Sequence, residues 1–74
     1  MDIRKLVGAN VARLRREQKY TQEQFSEIAG IAQSYLSQIE NGHINLTLFG
    51  VNDIAQALKV APDALFAPLN RPEN

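Results

Sequence analysis

Residues 21–42 read T-Q-E-Q-F-S-E-I-A-G-I-A-Q-S-Y-L-S-Q-I-E-N-G. Local chemistry alone starts and stops two helices here. Thr21 is a good N-cap, and Gln24 three residues later completes a capping box, in which each side chain accepts the other residue's backbone N–H. Tyr20 before the cap and Phe25 at the fourth helical position form a hydrophobic staple. Phe25, Ile28 and Ala29 make the buried face. Gly30 ends the helix, because glycine enters a left-handed turn without a steric penalty. The next helix spans 32–41. Ile31 and Leu36 repeat the staple spacing, which puts Ala32 at the N-cap, although alanine costs about 1 kcal/mol there relative to Ser or Thr. Leu36 and Ile39 point inward and Gly42 terminates the helix.

The flanks extend the same helical period. Ile3, Val7, Val11 and Leu14 recur at three- and four-residue spacing, with Leu6 widening the stripe, and predict a first helix over 2–18. Leu48, Val51, Ile54, Ala55 and Leu58 predict a fourth over 47–58, capped by Asn45 or Thr47 and weakened by Gly50. Pro62 and Asp63 suit the start of a short fifth helix, from which Leu65 and Phe66 close the core. Nothing alternates with period two for long. The expectation is an all-α, compact five-helix domain over 1–67, with a helix-turn-helix at 21–41 and a frayed tail at 68–74.

Composition narrows the function classes. With 74 residues, 45% of them apolar, there is material for one core. A chain this short buries a modest fraction of its surface and usually needs a staple, a metal or a partner. There is no cysteine and one histidine, so a disulfide framework, thiolate chemistry and an ordinary zinc site are not expected. No Ser/His/Asp or Cys/His set and no phosphate-cradling glycine loop is present, so neither catalytic residues nor a cofactor or small-molecule ligand is implied. No apolar run approaches the roughly 20 residues of a membrane helix. MDIRKLVGAN lacks the apolar centre of a secretory signal. A soluble, cytoplasmic domain is expected, with no membrane partner.

Eight Lys and Arg balance eight Asp and Glu. The zero sum hides a division. Residues 1–20 hold Arg4, Lys5, Arg13, Arg15, Arg16 and Lys19 against Asp2 and Glu17, a net +4. Residues 21–74 hold Lys59 and Arg71 against Glu23, Glu27, Glu40, Asp53, Asp63 and Glu73, a net −4. The N-terminal segment is therefore the basic end of a charge dipole.

The capped helix pair resembles the lambda-repressor/Cro-like (XRE) helix-turn-helix family. Thr21-Gln22, Ala29-Gly30, Tyr35-Leu36-Ser37 and Ile39-Glu40-Asn41-Gly42 carry the resemblance, which extends to Leu14-Arg15, Ile54-Ala55-Gln56-Ala57-Leu58 and Leu65 and covers about residues 6–66. It implies a five-helix fold whose third helix enters the DNA major groove. The wheel, at about 100° per residue, independently turns Ser34, Ser37, Gln38 and Asn41 away from Leu36 and Ile39. A glutamine amide sets a donor beside an acceptor, as adenine N6 and N7 require, and serine hydroxyls meet any base. Gln33, Ser34, Ser37 and Gln38 are the candidate base readers.

Gln22 sits where unpaired helix N–H groups attract phosphate, and the resemblance implies backbone contact and bracing of the third helix for it. Arg13 and Arg16 are further backbone candidates, as are Asn41, His43 and Asn45, whose other reading is cap and turn chemistry. Tyr35 either lies against the groove wall or seals the core edge. The resemblance also implies a partly buried Arg15–Glu40 ion pair between the first and third helices. Three departures from the family pattern leave the fold reading intact but argue against tight DNA binding: the third helix and the loop H-I-N-L after it hold no Lys or Arg, Leu46 replaces a frequent proline, and Ala32 replaces a Ser or Thr cap.

The leading reading is a sequence-specific transcriptional regulator of double-stranded DNA. It would act as a homodimer on an inverted repeat, pairing through helices four and five with Phe49, Val60, Leu65 or Leu69 in the interface. The size matches stand-alone controllers or phage repressors. The alternative is a protein-interaction module, such as an antitoxin-like subunit whose acidic residues bind a basic partner.

Overall fold

Four α-helices and a terminal 3-10 turn make up the computed structural model, which describes residues 1–69. They are α1 (Ile3–Glu17), α2 (Gln22–Ala29), α3 (Gln33–Glu40), α4 (Leu48–Leu58) and the 3-10 helix Pro62–Phe66. There is no strand among the described residues. No helix among them is long and apolar enough to cross a membrane. Residues 70–74 of the expected tail lie outside the described residues.

The helix ends follow the cap chemistry. Asp2 Oδ1 accepts the Arg4 N–H at 3.0 Å and Thr47 Oγ1 accepts that of Gly50 at 3.0 Å, which assigns the α4 cap to Thr47. Ala32 caps α3 with no side-chain bond. Lys19 ends α1 and Lys59 ends α4 in the left-handed region. The fifth element is a correction to the expected five α-helices. Its five residues are short for an α-helix, Pro62 has no N–H to donate, and Ala64 N–H bonds Ala61 O at the tighter three-residue spacing.

One cluster forms the core: Val7, Val11 and Leu14 of α1, Phe25 of α2, Leu36 and Ile39 of α3, Val51, Ile54, Ala55 and Leu58 of α4, and Leu65. Four residues expected inward, Ile3, Ile28 and Leu48 from their helical faces and Phe66 from the short fifth element, are exposed instead, Leu48 at 84%. A wheel records angle but not position along the axis. Ile3 and Leu48 open their helices and, with Phe66, line an open cleft beside Val7, Ile39 and Val51, while Ile28 stands in the last turn of α2. Conversely, Asn10 is fully buried. Its Nδ2 donates to Leu65 O at 3.0 Å and Ala67 O at 2.9 Å, so one amide ties the end of the domain to α1. Gln18 Nε2 likewise donates to Leu58 O at 2.6 Å and joins the C-terminal ends of α1 and α4.

Close approach of α1 to α3 depends on Gly8. A methyl group there would overlap the Ile39 carbonyl oxygen and stand 2.9 Å from that of Glu40, both backbone atoms that cannot rotate aside. Gly8→Ala should therefore cost about 3 kcal/mol in urea unfolding, the upper end of what overpacking costs. Gly30→Ala meets no atom within 4 Å and should cost only the left-handed strain of about 1 kcal/mol. Equal losses from the two variants would contradict this packing.

Candidate nucleic-acid interface

The α2–α3 pair is fixed at each end by cap and turn chemistry. Thr21 Oγ1 accepts Gln24 N–H at 3.0 Å while Gln24 Oε1 accepts Thr21 N–H at 2.9 Å. The Tyr20 and Phe25 rings lie 6.2 Å apart and close the staple. Gly30 turns left-handed at φ 74°, and Ile31 N–H returns to Ser26 O at 3.0 Å. Gly42 does the same after α3 at φ 79°, with His43 N–H on Gln38 O at 2.9 Å. Both terminations set the direction of the following chain.

Beneath this pair lies a buried ionic network. Arg15 Nε donates to Glu40 Oε2 at 2.7 Å and Arg15 Nη2 to Glu40 Oε1 at 3.0 Å, with side-chain exposures of 9% and 5%. Arg15 Nη1 donates to Tyr20 O at 2.8 Å. Gln22 Nε2 donates to Glu40 Oε1 at 2.9 Å. One carboxylate thus receives α1 and α2 together and holds the last turn of α3. Its hydrogen bonds hold the Arg15 guanidinium above its ordinary pKa, against a smaller opposing effect of burial. Gln22 braces α3 directly.

The opposite side of α3 is open. Gln33, Ser34, Gln38 and Asn41 are exposed, Ser37 is half-buried, and Leu36 and Ile39 are buried. Tyr35 straddles the boundary at 39% exposure. Asn41, His43 and Asn45 are exposed along the exit of α3. The accessible polar groups of this face are neutral amides and hydroxyls, and its one charge, Glu40, is consumed underneath.

The other selected residues are distributed differently. Arg16 is exposed, with no carboxylate in bonding range among the described residues. Arg13 is engaged elsewhere, donating to Glu17 at 3.0 Å and to Asn10 Oδ1 at 2.9 Å. Phe49 stands out at 83% exposure and Leu69 is exposed. Val60 is half-buried against the core. Leu65 is corrected as a surface candidate. It is fully buried, because the 3-10 helix turns it into the core. Sequence reading also missed Asn10 and Gln18, since a lone amide on a helix carries no pattern that separates a buried tether from a solvated side chain. No group of three or more His, Cys, Asp or Glu that could hold a metal occurs among the described residues.

Residues 11–65 match the helix-turn-helix family HTH_3. The chain belongs to this family. It is 48% identical over 68 residues to an uncharacterised HTH-type transcriptional regulator, y4dJ, of Sinorhizobium fredii, covering 92% of this chain and 88% of that one. It is 33% identical over 61 residues to the control protein C.SmaI of Serratia marcescens, covering 82% and 73% of the two chains. Its fold superposes on the crystal structure of the restriction-modification controller protein C.AhdI from Aeromonas hydrophila with a TM-score of 0.79. That match has 28% identity over 85% of this chain and 96% of the other. The family is one of DNA-binding transcription regulators, not enzymes, and the lambda-repressor-like architecture is that of its members.

Removing one partner of a buried pair leaves the other charge uncompensated, at a cost of about 3–5 kcal/mol. Arg15→Ala should lower the thermal midpoint sharply or leave the domain unfolded, whether or not DNA is present. An unchanged midpoint would remove the structural role assigned to the pair.

Proposed function

We propose that this HTH_3 regulator is sequence-specific and seats α3 in the DNA major groove. Gln33, Ser34, Ser37 and Gln38 meet base edges. Gln22, Arg16, Tyr35, Asn41, His43 and Asn45 flank them on phosphate. Arg13, shared between Glu17 and Asn10, adds little beyond its share of the α1 field. The carrying observation is the neutral, outward amide–hydroxyl face of α3, locked from below to α1 and α2 through Glu40. A rigid mount is what bidentate reading by a glutamine demands, because hydrogen bonds weaken steeply once misaligned.

The regulator acts as a homodimer on an inverted repeat in the cytoplasm. Two copies set their α3 helices about 34 Å apart, one turn of DNA, and double a weak electrostatic contribution. Phe49 and Leu48 stand side by side at the start of α4, almost fully exposed. Adjoining apolar side chains of that size mark an association surface. Phe49 is the central interface residue, with Leu69 on the rim. Leu65 has no part in it.

Gln33→Ala and Gln38→Ala should each weaken binding to a selected site by about 1–3 kcal/mol. The slope of affinity against salt should stay unchanged, since neither change removes a phosphate contact. Retained affinity in both variants would remove α3 from the readout. Absence of a retarded complex by wild-type protein, even at low salt, would favour the interaction module instead, with exposed Glu23, Glu27 and Asp53 facing a basic partner. Phe49→Asp should leave the midpoint of unfolding at low concentration unchanged while converting the protein to monomer in sedimentation equilibrium. A persistent dimer would place the interface elsewhere.

A further inference from the structure

The cation shortage around α3 is met from another element. Among the described residues Arg4, Arg13 and Arg15 are each held by a carboxylate, those of Asp2, Glu17 and Glu40. Lys5, Arg16, Lys19 and Lys59 are exposed and have no carboxylate in bonding range. Lys19 and Lys59 follow the ends of α1 and α4, which Gln18 and Leu58 join, and so share the end of the molecule away from the exit of α3. Lys5 is placed differently.

Lys5, Gly8 and Arg15 lie on one face of α1, within about 80° of each other at roughly 100° per residue. That face runs across the end of α3. Arg15 grips Glu40, and Gly8 approaches the carbonyls of Ile39 and Glu40. One turn earlier, Lys5 crosses Gly42: a methyl group on Gly42 would stand 2.6 Å from Lys5 Cγ and 3.0 Å from Lys5 Cα. The lysine stem therefore lies over Gly42, the first residue past Asn41, and the residue is exposed within a side chain's length of the start of the cation-free segment from Asn41 to Asn45.

We infer that Lys5 is a phosphate contact of the DNA complex, supplying across the α1–α3 junction the positive charge that α3 and its following loop lack. The inference rests on the major-groove reading above. A lysine in that place positions the exit of α3 against the backbone and carries no base information. The groups nearest in sequence to its contact point, Asn41, His43 and Asn45, are exposed and include no carboxylate, and Asp2, the carboxylate that feels Lys5, is already bonded to Arg4.

The full chain is titrated by fluorescence anisotropy against a mixed-sequence duplex of about 20 base pairs, two helical turns, across a salt series. Lys5→Met keeps the stem over Gly42 and removes the charge. It should weaken binding several-fold at low salt and flatten the log–log salt slope by about 0.9 for each protein copy in the complex, the value of one phosphate contact per copy, with the thermal midpoint unchanged. Lys5→Arg should keep the wild-type slope, and Lys59→Met should leave it nearly unaltered. A wild-type slope in Lys5→Met overturns the assignment. So does an equal loss from Lys59→Met, or a fall in thermal midpoint that accounts for the lost binding, which would make Lys5 only a counter-charge to the α3 carbonyls. If wild-type protein shows no salt-sensitive binding, the major-groove reading itself fails and Lys5 falls with it.

Discussion

The Glu40 carboxylate is the constraint around which the molecule is arranged. It is 5% exposed on its side chain and receives two hydrogen bonds from Arg15 and one from Gln22. Burying a charge costs several kcal/mol unless its lone pairs are filled with good geometry. That requirement fixes three helices at once, because Arg15 belongs to α1, Gln22 to α2 and Glu40 to α3. Gly8 and Gly42 complete the junction by letting α1 pass within van der Waals contact of the end of α3. An apolar contact in the same place would tolerate sliding. A bidentate guanidinium–carboxylate pair tolerates little, and α3 is consequently mounted at one angle.

This mount explains how a domain with no net charge and no cation on α3 fits a family of DNA-binding regulators. Charge supplies non-specific affinity and steering; base contacts supply discrimination. Under the proposed reading, cations concentrated on α1 and neutral amides and hydroxyls on α3 divide these tasks between two elements, which the Glu40 network holds together. Leu48 and Phe49 stand exposed on a different element, at the start of α4.

Much of this was legible in the chain itself, and the parts that were not share a physical cause. The capping box at Thr21 and Gln24, the left-handed turns at Gly30 and Gly42, and the Thr47 start are matters of local backbone chemistry, and residues a few positions apart suffice to specify them. The outward set on α3 followed from the angle of each residue around its axis. Ile3, Ile28 and Leu48 defeated the same reasoning, since burial also depends on where along the axis a neighbouring helix ends. Leu65 was legible as core but not as unavailable to a partner, because that depends on how the 3-10 helix closes. Asn10 and Lys5 acquire their meaning only from contacts across the tertiary fold, with Leu65 and Ala67 in one case and Gly42 in the other. The Arg15–Glu40 pair, 25 positions apart, was reached through family resemblance and not through any periodicity.

Selection of bound duplexes from a random pool decides whether α3 reads sequence. A neutral α3 face held rigidly and presented twice should enrich an inverted repeat, its half-sites one helical turn apart, about 34 Å centre to centre. A pool that remains unenriched after repeated rounds at low salt would contradict the account, since charge on α1 alone would then be all that the protein offers to DNA.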